Sequence, residues 1–275
     1  MDKRSLVLYL SGLAAAGAVV GLAASCSDQP RIKCTAGHGS FAVVYATPPG
    51  AENCGIKGEL IGIEAYNDPL KDKSNLDPNN GSLGMQPVDL AGAIDTQGAD
   101  PIAAHLPYSL GKWLTPEPAA DNFCTVNAPN DIEQDLPFKA PEAFPDGGLS
   151  DPIAAVSFKY QWSNVHFYNT PASPGTQLLA DLTYTKTEGL PDGGMGMPCT
   201  ATFHVVGLWP AVSCSSDPLP DGSPNPEPLD PTKCSPEPDD SKGRATGSGI
   251  SPDLVTRCDP DLQLCVLAKD PPAFK

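Results

Sequence analysis

Nine cysteines are the residues in this 275-residue chain whose chemistry is most easily inferred from type and spacing. Thiols form disulfides, bind metals or accept a modification, and the spacing between them helps to separate these uses. The closest two, Cys258 and Cys265, have six residues between them, whereas zinc sites usually contain C-x2-4-C pairs. The four histidines are scattered, at positions 38, 105, 166 and 204. The sequence therefore predicts structural disulfides, with no metal site and no cofactor.

The N-terminus has the three parts of a secretory signal peptide. Lys3 and Arg4 precede an uncharged stretch, residues 5–25, which has an apolar centre and ends in small residues. A stretch of this length also approaches the ~20 apolar residues of a membrane-spanning helix. Glycines and serines within it lower its hydrophobicity, which favours cleavage. An uncleaved anchor is the alternative.

The residues that end this stretch, Ala23-Ala24-Ser25-Cys26, resemble the lipobox of bacterial lipoproteins. In that family the cysteine thiol receives a diacylglyceryl group, the leader is cut off, and the new N-terminus is acylated. The usual leucine three places before the cysteine is Ala23 here, and Leu22 lies one place earlier. The resemblance implies that Cys26 is lipidated and that its acyl chains hold the protein on a membrane. The alternative is a secreted protein in which Cys26 forms a disulfide.

The odd number of cysteines supports lipidation. An exported chain with nine cysteines leaves one of them unpaired or modified. With lipid on Cys26, eight remain, and eight can form four disulfides in an oxidising compartment. These eight are Cys34, Cys54, Cys124, Cys199, Cys214, Cys234, Cys258 and Cys265.

Chain geometry selects one map among the 105 pairings that eight cysteines allow. Pairs are expected where two cysteines flank a turn, a proline-rich loop or the first strand, and the last pair follows by elimination. The predicted pairs are Cys258–Cys265, Cys214–Cys234, Cys34–Cys54 and Cys124–Cys199.

Composition and periodicity predict an all-β fold. The 32 prolines and 26 glycines argue against long helices and favour short strands joined by turns. Several stretches alternate apolar and polar residues or are rich in β-branched and aromatic residues. They are residues 40–47, 59–66, 154–168, 177–185, 199–208, 254–257 and 262–268, with a parity change after Ser163-Asn164 that suggests a bulge. The prediction is an antiparallel β-sandwich-like domain with long Pro/Gly-rich loops and four disulfides.

Three segments follow from these patterns. Residues 1–25 are predicted to be a lipoprotein signal peptide, residues 26–33 a lipidated tether, and residues 34–275 a disulfide-stapled β domain. Within that domain the segment 67–153 is polar and turn-rich, with some strand near residues 108–114 and a weakly helical stretch at 88–96. It is expected to pack across the sandwich, and a split into two domains is the alternative.

Charge and motifs exclude several classes of function. The formal net charge of −16 argues against nucleic acid as a partner, because phosphate binding depends on Lys and Arg. The chain contains no G-x-S-x-G elbow and no H-E-x-x-H metal motif. Paired acids such as Glu59 and Glu64 have no spacing that marks a glycosidase. We therefore expect no catalytic residues.

Two functional hypotheses remain. The organisation resembles that of uncharacterised bacterial outer-membrane lipoproteins, which implies an exported, membrane-tethered, non-catalytic envelope protein with an unknown protein or glycan partner. Ser27 after the lipidated cysteine permits sorting to the outer membrane. The alternative is a carbohydrate-binding β-sandwich. Its sugar-stacking platform would be formed by Tyr160, Trp162, His166 and Tyr168, although core and cross-strand packing competes for the same aromatic residues.

Overall fold

The computed structural model of this protein describes residues 32–275, except 52, 128, 146, 191–193, 220–224, 226 and 243. The predicted signal peptide and Cys26 lie outside the described residues, as does nearly all of the predicted tether. Residues Lys33–Lys275 form one compact unit by their internal contacts. No helix in the described part of the chain is both long enough and apolar enough to cross a membrane.

Antiparallel strands form one large sheet. In chain order they are β1 (Gly39–Ala46), β2 (Gly58–Pro69), β3 (Leu76–Pro87), β4 (Ser109–Trp113), β5 (Phe123–Asn127), β6 (Ile132–Leu136), β7 (Val156–Thr170), β8 (Ser173–Glu188) and β9 (Cys199–Leu208). The spatial order is β5-β4-β3-β2-β1-β9-β8-β7-β6, and β5 also pairs with β7. That extra pairing curves the sheet back on itself, so two layers face each other across the core, as the sandwich-like prediction requires.

Aromatic contacts across the core show which strands face each other. Phe41 on β1 packs edge-on against Phe167 on β7, with ring centroids 5.8 Å apart, although two strands separate β1 from β7 in the sheet. Trp113 on β4 contacts the same Phe167 ring at 5.7 Å. Alternation along each strand therefore buries one face, because every second side chain points into the closed interior.

The predicted parity change in β7 is confirmed. The register with β8 shifts between Ser163 and His166, and Asn164 has a φ of 49°. Before this bulge Tyr160 and Trp162 are buried, and after it Val165 and Phe167 are fully buried. The bulge therefore keeps both halves of a long strand facing the core.

The segment 67–153 contributes strands to the sheet instead of packing across it, which corrects the prediction. It supplies all of β3, β4, β5 and β6, and the helix α1 (Val88–Gln97) begins directly after Pro87. Strand β3 was missed because its sequence, LDPNNGSLGMQP, is rich in residues that disfavour strands. Strands β5 and β6 are only five residues each. Helix α1 packs against β2, β3 and β6.

The described residues of the C-terminal segment 211–275 form a layer on the outer face of the sheet. This layer contains 3-10 turns at Pro231–Cys234 and Asp240–Lys242 and the hairpin of β10 (Thr256–Asp259) and β11 (Leu264–Leu267). Its own apolar cluster includes Ile250, Leu254 and Leu267 and packs on Leu208 of β9. Strand β11 contacts both β1 and β9. The protein therefore has an inner core within the sheet and an outer core beneath the C-terminal layer.

The sheet has two distinct ends. We call the end at the β7–β8 turn the entry end, because the described chain begins there: Asn169 Nδ2 donates to the carbonyl of Thr35, and Gly37 N–H donates to Gly175. The opposite end, where β8 ends and β7 and β9 begin, we call the far end. The 16 residues of β8 run from one to the other and span about 50 Å.

Substitution of Gly175 tests the described path of the chain at the entry end. Its φ is +66°, and a Cβ atom there would lie 2.3 Å from the carbonyl oxygen of Thr35. We expect Gly175→Ala to lower the free energy of unfolding by about 2 kcal/mol or more, because both the conformation and the close contact require glycine. Gly92→Ala in α1 is the control: a Cβ there meets nothing within 4 Å, so it should stabilise slightly. Urea denaturation measures both, and equal midpoints would contradict the described entry.

Candidate functional site

The eight described cysteines form four disulfides, but with partners that differ from the predicted map. The bonds are Cys34–Cys124, Cys54–Cys199, Cys214–Cys258 and Cys234–Cys265, with Cα atoms 5.4–5.9 Å apart. The predicted pairs Cys34–Cys54, Cys124–Cys199, Cys214–Cys234 and Cys258–Cys265 are therefore wrong. The partners are exchanged within the first four cysteines and within the last four, and no bond joins the two groups.

Strand length explains the exchange in the first group. Cys34 precedes β1 and Cys54 follows it, so the eight extended residues of β1, about 27 Å in length, lie between the two cysteines. Cys34 bonds to Cys124 on β5 at the entry end. Cys54 bonds to Cys199, which begins β9 at the far end.

A third segment beside the hairpin explains the exchange in the second group. Cys258 and Cys265 do face each other in register across β10 and β11, as the turn predicted. However, the N–H of Cys265 donates to Val212 and the N–H of Cys214 donates to Gln263, so the chain near residue 214 lies along the hairpin. Cys258 bonds to Cys214 and Cys265 to Cys234, which ties both ends of the proline-rich loop to the hairpin.

The aromatic residues proposed as a sugar platform do not form an exposed face. Tyr160 and Trp162 point into the inner core and are 2% and 5% exposed. Tyr160 packs against Tyr184 with ring centroids 4.9 Å apart, and Trp162 lies 6.4 Å from Tyr45. These two residues serve core packing, because the alternation of β7 directs them inward.

The other two members of that set lie beyond the bulge, on the opposite face of β7. Tyr168 is covered by the rings of Phe123 and Phe274, each with centroids 5.4 Å away, and is 7% exposed. His166 is half-buried, and its Nδ1 lies 2.9 Å from the hydroxyl of Thr125. The four aromatic residues are thus divided between two faces of the sheet, which is a correction to the proposed platform.

A buried carboxyl group that the sequence did not single out lies in the inner core. Glu59 on β2 is 4% exposed, and the hydroxyl of Tyr45 donates to its Oε1 at 2.8 Å. Its Oε2 has no hydrogen-bond partner among the described residues. Three further groups interact electrostatically with the Glu59 carboxyl: Tyr160, Tyr184, and Asp89 in the first turn of α1. Glu59 has the same parity as Ile61 and Ile63, which are buried, so alternation along β2 was the signal that could have indicated an inward-facing carboxyl group.

The surroundings of Glu59 keep it protonated at neutral pH. Burial raises the pKa of Glu59 to about 8, and the hydrogen bond from Tyr45 opposes this rise only in part. Burial and then the charge of Glu59 raise the pKa values of Tyr45 and Tyr160. A protonated carboxyl among neutral phenols is a polar group of the core, and Glu59 does not line any of the five pockets described on the surface.

A second polar cluster holds the loop that follows α1. The carboxylate of Asp100 accepts hydrogen bonds from the N–H groups of Ile102 and Asp135, both at 2.8 Å, and lies 2.7 Å from His105 Nδ1. Gln134 on β6 donates to the carbonyl oxygen of His105 at 2.6 Å. These contacts tie residues 100–105 to β6.

The electrostatics of this cluster suit an ion pair. Burial disfavours the charge of Asp100, but hydrogen bonds from His105 and from two backbone N–H groups outweigh it and lower its pKa. The hydrogen bond to Asp100 raises the pKa of His105, and the charges of Glu133 and Asp135 add to that effect. Potential ligand atoms of Asp100, His105 and Asp135 lie within 4.8 Å of one another. Their hydrogen bonds account for this proximity, and we assign the cluster to loop attachment.

The largest concavity of the described residues lies in the C-terminal layer. It measures about 800 Å³, and its lining includes Leu219 and Asn225. Its cations already have partners: Lys233 Nζ is 2.7 Å from Asp217, and Arg244 donates to the carbonyl of Thr232 at 2.7 Å. Glu227 adds a further negative charge to the wall. Both cations of the described lining thus contact protein oxygens, although Arg244 Nε, which is buried, has no hydrogen-bond partner.

Comparisons with known proteins agree with the architecture. A model of the MlpA family matches residues 39–210. A Myxococcus xanthus protein named "Putative lipoprotein MlpA" is 27% identical over 224 residues, which cover 79% of this chain and 73% of that protein. No solved structure matches the chain. Because the family model spans more than half of the residues, the chain belongs to the MlpA family. The match coincides with β1–β9 and ends where the C-terminal layer begins.

Glu59 predicts a specific dependence of stability on pH. Its pKa is raised in the folded state, so its contribution to stability is fully present below the unfolded pKa near 4.5 and is lost as pH rises through about 8. Between pH 5 and pH 9 this group should reduce the free energy of unfolding by on the order of 4 kcal/mol. Glu59→Gln should remove that decline, whereas Glu64→Gln, an exposed residue on the same strand, should keep it. Urea denaturation at each pH measures the difference. If the free energy of unfolding of Glu59→Gln and of the unmodified protein changed with pH in parallel, the raised pKa would not belong to Glu59.

The pair of His105 with Asp100 predicts a second dependence of stability on pH. Its raised folded pKa means that the stability from the pair with Asp100 is present below the unfolded pKa of about 6.5 and is lost as pH rises through the higher folded value. Asp100→Asn should lower the pKa of His105 markedly. Asp135→Asn should lower it less, because Asp135 acts on the imidazole through its charge alone. An NMR titration of the His105 ring protons distinguishes the two variants, and an unchanged pKa in Asp100→Asn would contradict the ion pair.

Proposed function

We propose that this protein is a lipid-anchored, non-catalytic component of the bacterial cell envelope that displays its β domain from a membrane surface. The observation that carries the proposal is the position of Cys26, directly after a signal-peptide-like stretch and within a lipobox-like sequence. The other eight cysteines are bonded to one another, so no intramolecular partner remains for Cys26. This supports lipidation over a disulfide as the fate of the ninth cysteine.

The similarity to a named lipoprotein supports the same class. The Myxococcus xanthus relative carries that description, and its alignment covers most of both chains. Among the described residues, Glu59 is enclosed in the core, and the Asp100–His105 pair attaches a loop. A sugar-binding role loses its basis, because Tyr160 and Trp162 are buried.

The point at which the chain enters the β domain determines which end of the domain lies nearer the lipid anchor. Cys34 is fixed to β5 by its bond to Cys124 at the entry end. Seven residues lie between Cys26 and Cys34, so the Cα atoms of the two cysteines are at most ~28 Å apart when this segment is fully extended. In a lipidated protein the entry end therefore faces the membrane, and the far end projects away from it.

The outer membrane is the location that the sequence after the anchor favours. Ser27 follows Cys26, and Asp28 comes one position too late to resemble the inner-membrane retention signal of well-studied envelopes. The acyl chains would hold the protein without a membrane-spanning helix, since several buried acyl chains together give lasting attachment.

Cys26→Ala tests the anchor. The unmodified protein should sediment with membranes and yield an acylated peptide that begins at Cys26, without residues 1–25, in mass spectrometry. Cys26→Ala should appear as released protein or as uncleaved precursor. Ser25→Ala keeps a small residue before the cysteine and should remain lipidated. Recovery of residues 5–25 in the mature chain would overturn the proposal. For the finer location, Ser27→Asp should move the protein from the outer to the inner membrane in a density gradient.

A further inference from the structure

The four disulfides of the β domain differ in how deeply their cysteines are buried. Three of them each contain one cysteine with no exposed area, namely Cys124, Cys214 or Cys265. In the fourth, Cys54–Cys199, both cysteines are half-buried. Both also line an open pocket of about 480 Å³ at the far end of the sheet. Because thiol–disulfide exchange requires a thiolate to reach a sulfur atom, this bond is the accessible one.

The lining of this pocket leaves space beside the bond. Three of the lining residues are glycines: Gly55, Gly189 and Gly196. A Cβ atom at Gly55, the residue after the first cysteine, would meet nothing within 4 Å. The two charged groups of the described lining, Lys186 and Glu188, form a pair at 2.6 Å, so their charges offset each other. The pocket is therefore open beside the bond and its described charges cancel, which favours the approach of a thiolate.

The backbone at Cys54 is held in an unfavourable conformation. Its φ is 51°, in the left-handed region that residues with a side chain adopt infrequently. Such a conformation persists where the surrounding structure imposes it. The bond to Cys199 is one such constraint, because it fixes the Cys54 side chain to the first residue of β9. Reduction removes this constraint and lets the backbone relax, which favours the two-thiol form of this pair.

The segment that this bond holds is the loop of residues 47–56, between β1 and β2. The hydrogen bonds that the described residues of the loop make are local, such as the one from the N–H of Gly55 to the side chain of Asn53 at 3.0 Å. Cys54 and Ile56 also pack against the inner core. The disulfide is the covalent link between this loop and β9, so its reduction leaves the loop attached by apolar packing.

These observations point to one chemical reaction at the far end. We propose that a dithiol reduces Cys54–Cys199 selectively and so releases the loop from β9. A thiolate of the dithiol attacks one sulfur, the S–S bond breaks, and the other cysteine leaves as a thiolate that takes up a proton. The second thiolate of the dithiol then attacks the mixed disulfide and frees the remaining cysteine. The dithiol loses two electrons and becomes a disulfide, and the protein gains two thiols. The reaction needs neither the lipid nor the tether, so it does not depend on the anchor.

Stepwise reduction with peptide mapping tests the selectivity. A chain that begins at Ser27 lacks the Cys26 thiol and contains the whole compact unit Lys33–Lys275. In dithiothreitol without denaturant, alkylation should trap Cys54 and Cys199 at least tenfold faster than any other cysteine, with the circular dichroism of the folded protein retained. A protein with a Cys-X-X-Cys dithiol, used in place of dithiothreitol, distinguishes a protein reductant from a small one. Release of all eight thiols together, or earlier release from another bond, would overturn the proposal.

Hydrogen exchange tests the release of the loop. Cys54→Ser with Cys199→Ser should raise amide exchange of residues 53–56 at least tenfold, while the buried part of β2 stays protected. Cys214→Ser with Cys258→Ser is the control: it removes a bond of the C-terminal layer and should leave exchange of residues 53–56 unchanged. The unmodified protein, reduced to the two-thiol stage, should reproduce the first variant without any substitution. Equal exchange of residues 53–56 before and after that reduction would show that the bond does not hold the loop.

Discussion

Strand β5 pairs with β4 on one side and with β7 on the other, and Cys124 within it is bonded to Cys34. These two connections make a five-residue strand the point at which a long sheet closes. A strand this short contributes few hydrogen bonds of its own. The disulfide therefore adds most to stability at the point where the hydrogen-bond ladder of the sheet is weakest. Cross-linking residues 90 positions apart also restricts the unfolded chain strongly in the chain-entropy account.

Closure of the sheet explains where the unusual polar groups lie. Once β5 meets β7, the inner face has no access to solvent along its sides, and every inward position must be apolar or satisfied internally. Glu59 meets this condition only in part: Tyr45 donates to its Oε1 and burial favours the neutral carboxyl, but its Oε2 has no hydrogen-bond partner among the described residues. On the outer face the same strands remain open to solvent, and there the carboxylates pair with lysine or histidine instead, as Lys112 does with Asp68.

Periodicity in the sequence was sufficient to predict the strands in which apolar and polar residues alternate strongly. Tyr160, Trp162, Val165 and Phe167 lie where their spacing placed them, and the bulge after Ser163 was visible as a change in parity. Strand β3 could not be recognised, since its Asp, Pro, Asn and Gly residues are held in the sheet by pairing with β2 and β4 rather than by propensity.

The candidate sites depended on long-range geometry, which spacing does not contain. Cys34 and Cys54 are near neighbours along the chain, yet β1 holds them at opposite ends of the sheet. Cys258 and Cys265 do face each other, but their sulfurs bond to a segment that lies beside the hairpin. Asp100 and His105 form a pair whose third contact, Asp135, comes from a strand that the sequence did not reveal.

The C-terminal layer is best understood as a cover for the outer face. The family match ends at residue 210, and β1–β9 already enclose the inner core without the residues that follow. Leu208 is nevertheless fully buried and Gln177 accepts a hydrogen bond from the N–H of Ala273, both through contacts with the layer. A layer with so little regular structure cannot be held by strand pairing alone. Its bonds Cys214–Cys258 and Cys234–Cys265 both lie within the layer, so they fix its internal shape, and the apolar contact with Leu208 then holds that shape on the sheet.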